Sequence, residues 1–235
     1  MEKAIVKNLK TIKNPKAIRE DRVAAIDFFS DLEDPEKSVP ALLQRFDYSL
    51  EHGINDSREK ESAMKGIVGF EKASVPFIIE HIRSSDRVAW PIKALKQLAG
   101  EEEVITALES CLDYGDVAFD QSKVDKNYDI LCYLRDYKLS DEFSRKLFHF
   151  LTVHDERVRF AVVEALLEQQ EPGIPEKLEA FLRDDSAENT RIRQAVTIGF
   201  VNGKWQVSNP SEFPEGSLIA GARLTKDSRL ELMRQ

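Results

Sequence analysis

With 235 residues, 42% of them apolar and 32% charged, and only ten glycines and nine prolines, the chain can fill one or two cores and is neither collagen-like nor disordered. Its net charge of −8 argues against a general nucleic-acid binder, whose affinity comes from neutralising phosphates. Two cysteines, Cys111 and Cys132, make no disulfide framework and no zinc site, which fits a reducing compartment and a cytoplasmic location.

The first stretch, EKAIVKNLKTI (residues 2–12), has a helical period. Lys3, Lys7, Lys10, Lys13, Lys16 and Arg19 face only Glu2 before Glu20, so a basic first turn opposes the helix dipole. This end is a solvated cap or a contact for an acidic partner or membrane surface. It lacks the apolar core of a signal peptide, and no segment of the chain approaches the roughly 20 apolar residues of a membrane span. A weak amphipathic helix follows at DRVAAIDFF (21–29). SVPALLQRF (38–46) then recurs 36 residues later as SVPFIIEHI (74–82). The next helical segment, residues 85–100, carries Val88, Ile92 and Leu95 on one face and has Pro91 inside it.

EVITALESCL (103–112) lies in a region with seven acids and no base between Lys96 and Lys123. A solvated face explains it; a patch for a basic partner is the functional alternative. The loop YGDVAFDQS sets Tyr114 and Phe119 among acids and is a candidate binding loop. Further helices are expected at 123–134, 142–151 and 174–184. RVRFAVVEALL (157–167) recurs 34 residues later as RIRQAVTIGFV (191–201). In the first copy Val158, Ala161, Val162, Ala165 and Leu166 share one face, with Asp155 placed as N-cap; Asn189 is placed for the same role in the second copy. Phe160 falls about 200° from Val158, with Val163 and Leu167 near it, and Trp90 has the same offset from Val88. These side chains are either a wide core arc or anchors in a groove. Beyond residue 203, Asn209-Pro210 and Phe213-Pro214 break the pattern; Trp205, Phe213, Leu218 and Ile219 read first as a cover for the last repeat and second as a docking surface for another protein, and 224–233 as a last short helix.

The Asp-x-x-Val-Arg-x-Ala-Val run at Asp155–Val162, its variant at Asn189–Val196, and the Val-Pro segments at 39–43 and 75–79 resemble the second and first helices of HEAT repeats. The resemblance implies an all-α fold: a right-handed α-solenoid of about six antiparallel HEAT-like helix pairs over residues 1–203, closed by a C-terminal capping tail, 204–235. It also implies a structural ladder, in which Arg159 and Arg193 join successive repeats with residues such as Asp155.

Nucleotide-binding, zinc-protease and serine-hydrolase motifs are absent, and so is the repeated His-Glu pair of HEAT-like metal-dependent hydroxylases; the chain has Glu51-His52 and Glu80-His81 instead. No catalytic residue, metal or cofactor is therefore expected. The leading expectation is a non-enzymatic scaffold or adaptor that holds a protein or peptide in its concave groove, with Trp90, Phe160, Val163, Leu167, Tyr114 and Phe119 as candidate contacts. The alternative is a HEAT-like enzyme, either a bilin lyase or an alkylpurine DNA glycosylase using Trp90 with Asp86.

Overall fold

The structure, a computed structural model, describes residues 1–115, 120–169, 171–184, 186–213 and 218–233. The described residues are mostly helical, with twelve α-helices and one two-stranded antiparallel sheet. No helix among them is long and apolar enough to cross a membrane. The chain falls into two compact units, Met1–Asp113 and Tyr114–Gln235.

The first unit contains α1 (Glu2–Ile12), α2 (Arg19–Asp31), α3 (Pro35–Leu43), α4 (Gly53–Gly69), α5 (Val75–Ser84), α6 (Ala89–Leu98) and α7 (Glu101–Cys111). Consecutive helices pack as α1/α2, α3/α4 and α5/α6. Alternate helices also touch: α2, α4 and α6 form one layer, and α1, α3, α5 and α7 the other. Between the layers Ile12, Phe29, Leu42, Ile67, Ile78, Ile92 and Leu108 are completely buried. Each contributes about 1.5–3 kcal/mol of apolar burial.

Two local devices explain where these helices begin. Asp34 accepts the Lys37 N–H and Pro35 follows at the first helical position, so α3 starts ahead of the SVP motif and carries Pro40 inside it. The second SVP copy instead opens α5, with Pro76 in its first turn. In both copies the serine is buried and donates to the end of the preceding helix, Ser38 to the Leu32 carbonyl (3.1 Å) and Ser74 to the Ile67 carbonyl (2.6 Å). Pro91 does not interrupt α6, because that helix begins at Ala89 and its first-turn N–H groups need no intrahelical acceptor.

The second unit contains α8 (Gln121–Leu134), α9 (Asp141–Leu147), α10 (Glu156–Leu167), α11 (Ile174–Arg183) and α12 (Thr190–Gly203). Asp120, Ser140 and Asp155 cap α8, α9 and α10 through their side chains. Helix α10 lies between α8 and α12, with α9 and α11 also against it. The expected N-cap bond of Asn189 does not form; a 3-10 turn at Ala187–Asn189 leads into α12 and the amide side chain is used elsewhere.

The short helix expected over 224–233 is also corrected. Residues Ala222–Leu224 (β1) and Leu230–Leu232 (β2) form a hairpin in the register Ala222↔Leu232, Arg223↔Glu231, Leu224↔Leu230. Ser228 at φ 58° reverses the chain, and the Arg223–Glu231 ion pair (2.9 Å) lies across the strands. A helix would have forfeited that reversal. Strand β2 packs on α12, and Val207, Phe213 and Leu230 are buried; Trp205, Leu218 and Ile219 are half-buried.

Candidate functional site

In the second unit the two arginines of each Arg-x-Arg pair have different tasks. The first of each pair reaches back to the preceding even-numbered helix. Arg157 on α10 donates to Asp125 on α8 (2.9 Å) and lies 5.6 Å from the Tyr128 ring. Arg191 on α12 stands over the Phe160 ring at 4.1 Å, with Glu156 3.9 Å away, both on α10. Each guanidinium thus rests on an acid and an aromatic of its neighbour, a weak but repeated clamp.

The second arginine turns inward. Arg159 Nη1 donates to the carbonyls of Val153 (2.9 Å) and His154 (2.6 Å), and Nη2 donates to Asn189 Oδ1 (3.0 Å). It joins α10 to Asn189, the residue before α12, and not to Asp155. Asp155 is occupied by its own cap and by Arg157, at 3.0 Å. Burial pushes the Asp155 carboxyl up, but the Arg157 side chain and the Val158 N–H outweigh this and hold it below the usual carboxylate range. Arg193 Nε donates to the Leu182 carbonyl (3.1 Å).

A similar device, not evident from the sequence pattern, stands in the first unit. Arg22 Nη1 donates to the Pro15 (3.4 Å) and Ala17 carbonyls, seven and five residues upstream, much as Arg159 reaches carbonyls six and five residues upstream. It then crosses to Glu59 on α4 at 2.9 Å. Glu59 also accepts from Arg45 Nε (2.9 Å), and Arg45 continues to Asp56 (2.7 Å), which pairs with Lys60 (2.7 Å). The signal was the Asp-Arg-Val at 21–23, which matches the fuller motif only in part.

The candidate contact residues separate. Val163 is completely buried and offers no surface; α10 has neighbours on two sides, so its apolar arc is wide. Phe160 is half-buried beneath Arg191. Trp90 is half-buried, stacked on Phe46 at 6.1 Å with Lys93 Nζ 4.6 Å from its ring, and Asp86 is exposed in the turn before α6. Tyr114 packs on His149 and Phe150, at the edge of a cleft of about 510 Å³ that also includes Asn127 and His154. Phe119 lies outside the described residues. Among the described residues no group of three or more His, Cys, Asp or Glu side chains is placed to hold a metal.

Leu167 is different. It lines a groove of about 1010 Å³ at the C-terminal ends of α8, α10 and α12, together with Ile198, Trp205, Pro172 and Pro175. Ile198 is 40% exposed, and Leu167 and Trp205 are half-buried. Two glycines make the lining possible: a Cβ on Gly199 would lie 2.3 Å from Leu167 Cδ2, and one on Gly203 would lie 2.7 Å from the Trp205 ring. The wall is held by buried Gln169, which donates to the Tyr137 and Ala165 carbonyls and accepts the Leu139 N–H (2.9 Å). The rim carries the Arg135–Glu164 pair (3.2 Å) and Lys138, which donates to the Glu168 carbonyl at the end of α10. Ile198 was not among the residues expected from sequence, because nothing in its spacing distinguishes an exposed apolar side chain from a core one; Trp205 was expected first as a cover for the last repeat and only second as a docking residue. No family model matches the chain, and no curated protein or solved structure does.

Proposed function

We propose that the chain is a HEAT-like α-solenoid protein, a series of helix pairs over residues 1–203 covered by residues 204–235, and that it acts as a non-enzymatic scaffold for a protein or peptide partner. The repeated devices support the architecture: the buried SVP serines, the inward arginines Arg22 and Arg159, and the backward-reaching arginines Arg157 and Arg191. The observation that carries the binding role is the open groove lined by Leu167, Ile198 and Trp205, apolar on its floor and charged at its rim. An apolar side chain of a partner gains burial there, while the rim fixes its orientation.

The test is affinity capture by the full chain and by an Ile198→Asp variant, with circular dichroism confirming that both are folded. Loss of the captured partner in the variant is expected, since an aspartate in the middle of the contact must be desolvated. A folded variant that retains every partner would place the binding surface elsewhere. Trp90→Ala and Phe160→Ala serve as comparisons; because both rings are already engaged within the fold, they act mainly on stability.

A further inference from the structure

We propose that the exposed face of α1 is a docking surface for anionic lipid, a peripheral membrane contact separate from the groove of the second unit. Residues 1–19 hold Lys3, Lys7, Lys10, Lys13, Lys16 and Arg19 against the single acid Glu2, a net +5 in a chain whose total is −8. Everything beyond Arg19 therefore sums to −13. Helix α1 packs against α2 and α3 through buried Ile12 and half-buried Ile5 and Leu9. At 100° per residue, Lys3, Lys7 and Lys10 fall within an arc of about 60° on the opposite side, and Lys13 flanks them at the end of the helix. All four are exposed, and among the described residues none of the six cations forms an ion pair.

Lys10 and Lys13 suit the C-terminal end of the helix dipole, but the close spacing of the stripe and the place of Lys3 oppose the stability of α1. Lys3 and Lys7, Lys7 and Lys10, and Lys10 and Lys13 are like charges three or four residues apart, and Lys3 sits at the positive end of the dipole. An external anionic surface relieves both. The stripe is also held in place: Tyr48 Oη donates to the Ile12 carbonyl (2.7 Å), and Arg22 holds the Pro15 and Ala17 carbonyls of the following turn.

The chemistry favours lipid over other polyanions. Five of the six cations are lysines, point charges suited to headgroups in many orientations rather than planar forks for one phosphate. The first 27 residues contain no aromatic side chain to stack on a base. Val6 lies inside the stripe at 50% exposure, and Ile18 at 63% follows in the turn; both supply apolar contact at an interface.

Sedimentation of the full chain with vesicles tests this. Binding is expected with phosphatidylcholine vesicles containing phosphatidylserine, with little to phosphatidylcholine alone, and it should fade at high salt. Lys3→Gln, Lys7→Gln and Lys10→Gln together should lower the partition coefficient on the order of 100-fold, from a contribution of about one unit of kcal/mol per lysine. Removing three exposed lysines elsewhere, Lys65, Lys72 and Lys177, should leave it unchanged. The proposal is overturned by equal binding to both vesicle types, by a triple α1 variant that binds like wild type, or by lysine-dependent binding to duplex DNA or polyglutamate that exceeds binding to the anionic vesicles.

Discussion

The two units join neighbouring even-numbered helices with arginine, but they give the guanidinium different partners. In the first unit Arg22 and Arg45 converge on the Glu59 carboxylate, which is 2% exposed, and Arg45 goes on to Asp56. In the second, Arg159 ends on two backbone carbonyls and an amide oxygen, and Arg157 and Arg191 rest on more exposed acids and ring faces. The difference is one of interdependence. A carbonyl that loses a cation remains neutral, whereas a buried cation that loses its carboxylate becomes an uncompensated charge. The first unit is thus built so that one side chain holds three helical segments, and the second so that the work is spread over several.

Glu59→Gln is the sharpest way to break this contrast. It keeps the shape but leaves Arg22 and Arg45 buried beside a neutral amide, and about 3–5 kcal/mol of stability should be lost. Urea unfolding followed by circular dichroism reads it; a loss below about 1 kcal/mol would mean the network is dispensable. Arg159→Met should cost less, about 2 kcal/mol, because the Val153 and His154 carbonyls it abandons stand near solvent. If the two variants are equally damaging, the distinction between charged and neutral acceptors is wrong.

Acid acts on both units. Burial raises the Asp56 and Glu179 carboxyls, but hydrogen bonds from Lys60 and Arg45 to Asp56, and from Ser208 to Glu179, outweigh it and hold both below their ordinary range. A carboxyl depressed in the folded state contributes stability above its unfolded pKa of about 4, and that contribution disappears as pH falls through the folded value. The urea midpoint should therefore decline steadily below about pH 5; a flat or rising profile would contradict these assignments. The smallest effect is expected from Arg157→Gln. Its ion pairs and its ring contact are roughly half-exposed, so the loss should stay under about 1 kcal/mol and shrink further in high salt. A larger loss, measured the same way, would make the outer clamp as important as the inner one.

Much of the local structure was legible from periodicity and caps. Val158, Ala161, Val162, Ala165 and Leu166 are all buried where a helical face required them, and Asp155 caps α10 as its position implied. The two SVP serines each donate to the end of the preceding helix, and the first arginine of each Arg-x-Arg segment reaches an acid and a ring of the preceding even-numbered helix, so the recurrence in the sequence marked a partial recurrence of contacts. The candidate site was less legible. Leu167 reaches the groove and Val163 does not, although both share the outer arc of α10, because that choice depends on where α12 passes.

Spacing, capping residues and turn chemistry act within a few residues, so the existence of the helices before residue 204 and the inward face of α10 follow from the chain alone, while the hairpin at 222–232 does not. Partner choice does not. Arg159 bonds Asn189 instead of Asp155 because the 3-10 turn before α12 presents an amide oxygen to it, and Arg22 finds Glu59 across 37 positions of sequence. The hairpin at 222–232 forms because a reversal at Ser228 brings Arg223 to Glu231 and packs Leu230 inside. Such outcomes are decided by which surfaces meet when the helices pack. For the two arginines that depends on distances between residues far apart in sequence, which no local pattern encodes; for the hairpin it depends on the packing of Leu230, which the spacing of 222–232 does not show.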